Sequence, residues 1–378
     1  MEVAIIVHRL MQSRGGAEGW TIRFVQWLCR QGHSVHLVSS HLPTPHFAQF
    51  CEKQTIYPAG NQFEFARFVS TEFDRRNADI VHDMGYGYKC DVFHPHAGSQ
   101  RALNEARAAA YTGIRRLSFQ LFRRVGVRQR KLTALAGKQF QQNSAHFLAV
   151  SQKVANDIIR MHDVPKERIH VVHNGVDIQL FSPELRQRNR SAARNYLRAA
   201  DVDLLLLCIA HNHKLKGVPT LLQMLEDPKI KNIHLVVVGG HTQRPLDRTI
   251  GSSRVTFVGA CDDVMQFYAA ADAFVLPTHY DACSLTVLEA MACGLPVITT
   301  RSNGASELIE NQVDGLLLES STDLPALRAS IEACRCEKNR ERLGENARNK
   351  MRQNSLEKNF AAIEVVYRQI VSQVRVAA

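Results

Sequence analysis

The chain has 378 residues with 45% hydrophobic and 22% charged side chains, which fits two globular domains and excludes a fibrous or largely disordered chain. No apolar run reaches about 18 residues and no signal-peptide pattern opens the sequence, so we expect a cytoplasmic protein without membrane-spanning segments. The net charge of +11 arises mostly in residues 101–150, which hold ten Lys or Arg against one acid and predict an anionic partner at one surface.

The first half of the sequence alternates between strand-like and helix-like segments. Val3–Val7 is predicted as a buried strand, and Glu18–Arg30 as a helix, because its apolar residues recur at helical spacing up to Gly32. Such alternation is typical of a parallel sheet with helices on both faces. Further strands are predicted at Ser34–Val38, Asp79–His82 and Phe147–Ser151.

The second half repeats this pattern. Helices are predicted at Val218–Leu225, at Asp262–Ala271 and within 324–378. The sequence therefore predicts two doubly wound α/β domains, with a boundary near the turn Asn174–Asp177. In such sheets ligands bind beyond the carboxyl ends of the strands, so residues that follow strands are the candidates for a site. The strands are predicted at Asp203–Ala210, His234–Val238, Val255–Val258, Ala273–Leu276 and Pro296–Thr300.

A glycine loop follows the first strand. Gly15 and Gly16 allow backbone amides to approach a phosphate at the start of the next helix. The Gly-x-Gly-x-x-Gly fingerprint is absent, and Ser39 and Ser40 stand where a ribose-binding acid would follow the second strand, which disfavours a bound NAD. A plain tight turn is the alternative interpretation.

A group of histidines follows the strands of the first half. His82 and Asp83 end a predicted strand and are expected to point into a ligand site, and we choose His96 as the residue that contacts substrate. No carboxylate cluster accompanies them, and the nine scattered cysteines show no Cys-x-x-Cys spacing, so neither a metal site nor a disulfide is predicted. A structural role for the histidines is the alternative.

Two lysines follow a strand of the second half. Lys214 and Lys216 lie between the strand Asp203–Ala210 and the next helix, where ammonium groups can neutralise a diphosphate that leaves during a reaction. A solvated charged loop is the alternative. Asp201 and Asp203 lie at the beginning of this strand, at the wrong end of the sheet for a metal-dependent site.

An almost wholly apolar helix is predicted between Ser284, a favourable N-cap, and Gly294, a favourable stop. Glu289 is its one ionisable residue, and a buried carboxylate needs hydrogen-bond donors, which sugar hydroxyls supply. Asp281 lies just before the positive end of this helix. A structural bond from Glu289 to a neighbouring group is the alternative.

Asp281 and Glu289 in this spacing resemble the Glu-x7-Glu motif of glycosyltransferase family 4. The Gly15–Gly16 loop, Asn174–Asp177, Lys216–Gly217 and Asn303–Glu307 resemble other elements of that family in the expected order. The resemblance implies the GT-B fold, which consists of two Rossmann-like domains facing across a cleft. It implies an acceptor domain at 1–174, a nucleotide-sugar domain at 175–355, and a C-terminal helix at 356–378 that returns to the first domain.

The resemblance also implies retaining transfer from a nucleotide sugar, with no metal or other cofactor. By position, Glu289 would hold the ribose, Asp281 the donor sugar, and His96 would lie near the acceptor. Asp281 replaces the usual first Glu, and Leu215 stands where Arg often precedes the lysine, which leaves the sugar preference open. The implied catalytic residues are His96, Lys216 and Asp281, and the implied donor-binding residues are Gly15, Gly16, Lys214, Lys216, Asp281, Cys283, Ser284, Leu285 and Glu289.

A basic segment at 115–138 interleaves arginine pairs with apolar residues, which suits an anionic membrane or a phosphorylated lipid. It resembles the membrane-facing region of lipopolysaccharide-core glucosyltransferases in the same family. A solvated helix face is the alternative, and nucleic acid is disfavoured because no recognition motif is present. The residues assigned to acceptor or membrane contact are Arg115, Arg116, Arg123, Arg124, Arg128, Arg130 and Lys131.

The hypothesis from sequence is a peripheral enzyme at the inner face of the cytoplasmic membrane. It would transfer a hexose, with glucose from UDP-glucose as first choice, to the inner core of lipopolysaccharide or a similar glycolipid. Three alternatives stay open. They are a transferase of the same fold that uses GDP-mannose or UDP-N-acetylglucosamine, an NAD-dependent oxidoreductase, and a non-catalytic module that binds membranes or glycans.

Overall fold

The structure, a computed structural model, describes residues 1–10, 16–41, 50, 51, 53–109, 111, 127–199, 204–240 and 246–377, with the backbone alone for 127, 129 and 374–377. Its residues divide into two compact units. The first unit takes its described residues from Met1–Ala108, Thr112–His173 and Asn359–Ala378. The second takes them from Ala109–Tyr111 and Asn174–Lys358.

The described part of the first unit contains a seven-stranded sheet in the order β3-β2-β1-β4-β5-β6-β7. Every neighbouring pair of strands is parallel. The central strands are buried on both faces, as expected where crossover helices cover a parallel sheet. The strands are β1 Glu2–Ile6, β2 Ser34–Ser39, β3 Lys53–Ile56, β4 Ile80–Asp83, β5 Val92–Phe93, β6 His146–Ala149 and β7 Ile169–Val171.

The helices of the first unit begin at polar caps where the sequence offers them. The side chains of Asn61 and Ser151 accept hydrogen bonds from the first turns of the helices Gln62–Thr71 and Gln152–His162. The C-terminal helix packs here through Asn359, whose side chain accepts from Trp20 Nε1 (3.0 Å) and donates to the His173 carbonyl (2.7 Å). The helices are α1 Gly16–Arg30, α2 Gln62–Thr71, α3 Gln100–Ala109, α4 Val127–Phe140, α5 Gln152–His162 and the C-terminal helix Leu356–Ala377, with a 3-10 turn at Lys166–Arg168.

The second unit contains a sheet in the order β10-β11-β9-β8-β12-β13-β14. Its pairs are parallel except for β10 and β11, which form an antiparallel hairpin at one edge. The sequence analysis missed β10 because its side chains are mostly polar and exposed. The strands are β8 Leu204–Ile209, β9 Lys231–Val238, β10 Leu246–Ile250, β11 Ser252–Gly259, β12 Ala273–Leu276, β13 Val297–Thr300 and β14 Leu316–Leu318.

A buried aspartate ties a helix of the second unit to its sheet. Asp272 accepts from the Leu205 amide (2.8 Å) and from Arg194 Nη1 (3.2 Å), and it also pairs with Arg190. Both arginines lie on α6, so the helix is fixed to the start of β8 and β12. The helices are α6 Pro183–Tyr196, α7 Val218–Leu225, α8 Met265–Ala270, α9 Leu285–Ala292, α10 Leu324–Ala333 and α11 Glu337–Arg352, with a 3-10 turn at Gly304–Leu308.

The predicted fold class is confirmed, since the two units carry separate, mainly parallel sheets flanked by helices. Among the helices in the described ranges, none is long and apolar enough to cross a membrane. The described residues also contain no disulfide.

Candidate functional site

A lysine-bearing loop, residues 211–217, follows β8 in the second unit and is held by two glycines. Gly217 has φ +80°, and a Cβ there would lie 1.9 Å from the Pro277 carbonyl oxygen. Gly239 has φ +104°, and a Cβ there would lie 2.7 Å from the Ala210 carbonyl oxygen. No side chain beyond hydrogen fits at either point, so the loop can approach the ends of β9 and β12 only with glycine at these positions.

Lys216 in this loop forms an ion pair with Asp281, which follows β12. The side chains are 22% and 15% exposed, so solvent screens the pair only partly. The sequence analysis assigned these two residues to different parts of a donor, and the structure brings them into direct contact. Lys214 lies with Nζ 3.0 Å from the centroid of the Tyr111 ring, a cation–π contact.

Asn303 organises the segment between Asp281 and α9. Its Oδ1 accepts from the amides of Ser284 (3.2 Å) and Ala305 (3.1 Å), and its Nδ2 donates to Thr299 Oγ1 (3.1 Å). The Gly304 amide donates to the Asp281 carbonyl (3.0 Å), which completes a short bridge between the two segments. The Ser284 amide, predicted to face a donor, is therefore already bonded within the protein.

The N-terminus of α9 has no side-chain cap. Ser284 occupies the N-cap position, as predicted, but its Oγ bonds Thr286 Oγ1 (3.0 Å) and makes no capping bond to a backbone amide. The first amides of a helix have no intrahelical acceptor, and the positive end of α9 begins at Leu285. Cys283 is buried, its carbonyl accepts from Asn174 Nδ2 (3.0 Å), and burial raises the pKa of its thiol to about 12.

Glu289 lies half-buried on α9, and one of its oxygens is bonded within the protein. The Tyr268 hydroxyl donates to Glu289 Oε2 (2.7 Å) and also lies 3.2 Å from the Thr286 carbonyl. Burial, together with the nearby carboxylate, raises the pKa of Tyr268 well above its usual value, so its hydroxyl remains a donor. Glu289 is thus oriented by a neighbour that the sequence analysis did not select.

His96 lines a cavity of about 400 Å³ in the first unit. Its Nε2 is buried and has no hydrogen-bond partner within the described residues. Burial lowers the pKa of His96 to about 4, so the ring is neutral near pH 7. Other residues around the cavity are Glu18, Thr21, Gln62, Leu135, Gln139 and Phe140.

His82 and Asp83 do not point into a ligand site, and that prediction is wrong. Both are fully buried. Asp83 accepts from the amides of Gly85 (2.9 Å), Tyr86 (2.6 Å) and Gly87 (2.7 Å). Burial raises the pKa of Asp83 to about 6, although these three bonds act in the opposite direction. Asp83 closes the turn after β4, which is a structural role.

The remaining predicted residues lie partly outside the described ranges. Gly15 is outside them, and Gly16 is the first residue of α1. Arg115, Arg116, Arg123 and Arg124 are also outside them, whereas Arg128, Arg130 and Lys131 are exposed on α4. In the part of the chain that the structure describes, no three His, Cys, Asp or Glu side chains converge to hold a metal ion.

Comparison with known families assigns both halves of the chain. Residues 14–180 match the model of glycosyltransferase family 4, and residues 189–350 match that of glycosyl transferases group 1. Each half of the chain is therefore similar to one glycosyltransferase family. The Lys216–Asp281 pair, the start of α9 and Glu289 all lie in the half that matches the group 1 model.

The proteins similar to this chain differ in their described roles. D-inositol 3-phosphate glycosyltransferase of Xylanimonas cellulosilytica is 30% identical over 190 residues, 47% of this chain and 45% of that relative, so the chain spans about half the length of the curated relatives it matches. WaaG, a glycosyltransferase involved in lipopolysaccharide biosynthesis, has a TM-score of 0.73 at 21% identity over 97% of this chain and 99% of WaaG. Anabaena HepE in complex with UDP-glucose has a TM-score of 0.68 at 17% identity over all of both chains. These likenesses confirm the GT-B fold.

Tyr268 and Asn303 are two further residues of the candidate site, and neither was predicted from sequence as a donor-binding or catalytic residue. Tyr268 lies on α8 inside an apolar stretch, and nothing in that stretch indicates that its hydroxyl reaches α9. Asn303 follows β13 and lies directly before Gly304, a position where an Asn side chain commonly bonds nearby amides. Its role was therefore easier to recognise from sequence than that of Tyr268.

Proposed function

We propose that this protein is a glycosyltransferase that transfers a hexose, with glucose from UDP-glucose as first choice, to the inner core of lipopolysaccharide or a similar membrane glycolipid. The observation that carries the proposal is the Lys216–Asp281 ion pair beside the uncapped start of α9, with Glu289 on the same helix. A solved relative of the same fold contains UDP-glucose, and another is described as acting in lipopolysaccharide biosynthesis.

The ion pair suits the junction between a sugar and a diphosphate. A carboxylate accepts hydrogen bonds from sugar hydroxyls, and an ammonium neutralises phosphate oxygens. Because the sugar and the diphosphate share one bond, Asp281 and Lys216 must lie side by side to serve both groups. Glu289, oriented by Tyr268, would accept from the ribose hydroxyls, and the first amides of α9 would contact the diphosphate.

In the proposed reaction the bond between the anomeric carbon and the diphosphate oxygen breaks, and its electron pair leaves with the diphosphate. The acceptor hydroxyl forms the new bond on the same face of the sugar, which retains the configuration, and its proton passes to the leaving phosphate oxygen. Lys216, Lys214 and the α9 amides stabilise the charge that develops on the diphosphate. We propose that the two lysines and the α9 amides together replace a metal ion, so transfer would need no added cofactor.

The first unit would hold the acceptor. Its cavity joins apolar walls with hydrogen-bonding side chains, a combination that suits a sugar ring, and His96 lines it. Exposed Arg128, Arg130 and Lys131 on α4 would contact an anionic membrane surface, which fits a peripheral protein at the inner face of the cytoplasmic membrane.

The proposal is tested by ligand-induced stabilisation, because a ligand that binds only the folded chain raises its melting temperature. UDP and UDP-glucose should stabilise the protein in the presence of EDTA, and NAD should not. The variant Glu289→Gln should lose most of the UDP-dependent shift, whereas Glu341→Gln, which changes an exposed glutamate on α11, should keep it.

A direct assay then measures UDP release from UDP-glucose with a lipopolysaccharide inner-core acceptor. Stabilisation by GDP-mannose or UDP-N-acetylglucosamine alone would change the donor and keep the family. Stabilisation by UDP without turnover of any donor would favour a binding module.

A phosphorylated inositol is the second candidate acceptor, because the curated relatives are named D-inositol 3-phosphate glycosyltransferases. Comparing inositol 3-phosphate with the glycolipid acceptor in the same assay decides between them.

A further inference from the structure

Three buried side chains form a continuous chain of contacts beside the cavity of the first unit. The Tyr367 hydroxyl, on the C-terminal helix, bonds Nδ1 of His82 on β4. Nε2 of His82 lies 3.2 Å from Nδ1 of His94, which follows β5. Tyr367 and His82 are fully buried and His94 is almost so. Asp83, and not His82, bonds the amides of the turn after β4. The contacts of the His82 side chain therefore have a role other than closing that turn.

The chain of contacts ends on the ring of His96. His94 and His96 are stacked with ring centroids 4.0 Å apart and planes 26° apart. The Trp20 ring is steeply inclined to both rings, with its centroid 5.3 Å from that of His94 (87° between planes) and 4.6 Å from that of His96 (67°). The orientation of His96 at the cavity therefore depends on where the ring of His94 lies.

The protons along this chain have one consistent arrangement. Burial lowers the pKa of His82 to about 3 and that of His94 well below its usual value, so both rings are neutral and each has one donor and one acceptor nitrogen. The Tyr367 hydroxyl and His82 Nδ1 are in hydrogen-bond contact, and the tautomer of His82 decides which of the two groups donates. If Tyr367 donates, His82 carries its proton on Nε2 and donates to Nδ1 of His94, which then carries its own proton on Nε2.

The reverse arrangement is less favourable. A phenol hydroxyl is a stronger acid than an imidazole N–H, and an imidazole nitrogen is a stronger base than a phenol oxygen, so the bond is stronger when Tyr367 donates and His82 Nδ1 accepts. One hydroxyl group on the C-terminal helix thus selects the tautomer of two histidines.

We propose that Tyr367 is a positioning residue for the acceptor pocket, because it fixes the tautomers of His82 and His94 and thereby the ring on which His96 is stacked. The functional part of this inference rests on the proposed role of His96 beside the acceptor. The assignment of the His82 and His94 tautomers does not depend on the role of His96, and it can be measured without any substrate.

The experiment uses the full chain labelled with [15N]histidine and long-range proton–nitrogen NMR spectra near pH 7.5, which distinguish the two neutral tautomers. Loss of signals in His82→Gln and His94→Gln identifies each ring. We expect both rings to be protonated at Nε2 in the wild-type protein and to lose this single tautomer in Tyr367→Phe. The control Tyr57→Phe removes a hydroxyl from the ring stacked on Phe68 and should change neither ring.

A wild-type spectrum with protonated Nδ1 on His82 would overturn the proposal, and so would unchanged tautomers in Tyr367→Phe. If Tyr367→Phe fails to fold, the wild-type spectrum alone still tests the proposal, because it shows which nitrogen of His82 carries the proton.

Kinetics with UDP-glucose test the functional part. We expect Tyr367→Phe to lower kcat for UDP release by about tenfold, the effect of losing one orienting hydrogen bond, with KM for UDP-glucose unchanged because the second unit holds the donor. An unchanged kcat would overturn the positioning role. If wild-type protein releases no UDP from any donor, the proposed function fails, and the tautomer result stands by itself.

Discussion

The substitution Gly217→Ala should remove the lysine loop from its working position. Alanine would have to adopt φ near +80°, where L-residues lose about 1–2 kcal/mol, and its Cβ would lie 1.9 Å from the Pro277 carbonyl oxygen. Ordinary contacts between heavy atoms are about 3.5 Å, so the loop or the segment at Pro277 must move by roughly 1.5 Å. A displacement of about 1 Å at a reacting group can cost about 100-fold in rate.

Two measurements separate strain from displacement. Urea unfolding should show a loss of more than about 2 kcal/mol for Gly217→Ala, and calorimetric titration should show UDP affinity reduced at least about tenfold. Gly32→Ala is the matched control, since Gly32 has φ +77° but a Cβ there would meet nothing within 4 Å. It should lose about 1–2 kcal/mol from backbone strain alone and bind UDP normally.

The reasoning would be refuted if Gly217→Ala bound UDP like the wild-type protein. It would also be refuted if both alanine variants lost the same stability, because the contact with Pro277 would then contribute nothing.

Two further predictions concern stability. Burial lowers the pKa of His82 from 6.5 to about 3, so below pH 6.5 the unfolded chain takes up a proton that the folded chain refuses, and stability falls. Between pH 7.5 and 5.0 the protonation of His82 should cost about 2 kcal/mol of stability, so urea unfolding of His82→Gln should show a pH dependence smaller by that amount. Asp83 acts in the opposite direction in both proteins, since its pKa is raised to about 6. Asp272→Asn should cost about 3–5 kcal/mol by leaving Arg194 buried without its counter-charge, whereas exposed Asp262→Asn should unfold at the wild-type urea concentration; equal midpoints would contradict the role of Asp272.

The strands that the sequence predicted well are those with continuous apolar runs. β1, β8, β12 and β13 are buried on both faces, so their β-branched and aliphatic residues needed no further information. β10 is the contrasting case, because its stability comes from the hydrogen bonds of a hairpin with β11, which polar side chains do not reveal.

The residues of the candidate site also differ in how far the sequence alone could identify them. Glu289 was identifiable because a lone carboxylate in an apolar helix is costly unless bonded. Its partner Tyr268 lies 21 residues earlier, on another element, and only the packing of α8 and α9 brings the two together. The prediction for His82 failed for a related reason, since the residue that covers it, Tyr367, is 285 positions away along the chain.

The edges of both sheets bear on how the protein behaves at high concentration. The outermost described strands are short, with three to five residues each in β3, β7, β10 and β14. β10 also presents Asp247 and Arg248 to solvent along its length. Short or charged edges give a second copy few backbone groups to pair with, which discourages edge-to-edge aggregation. A chain with two open sheets thereby gains protection against fibril-like association without closing either sheet into a barrel.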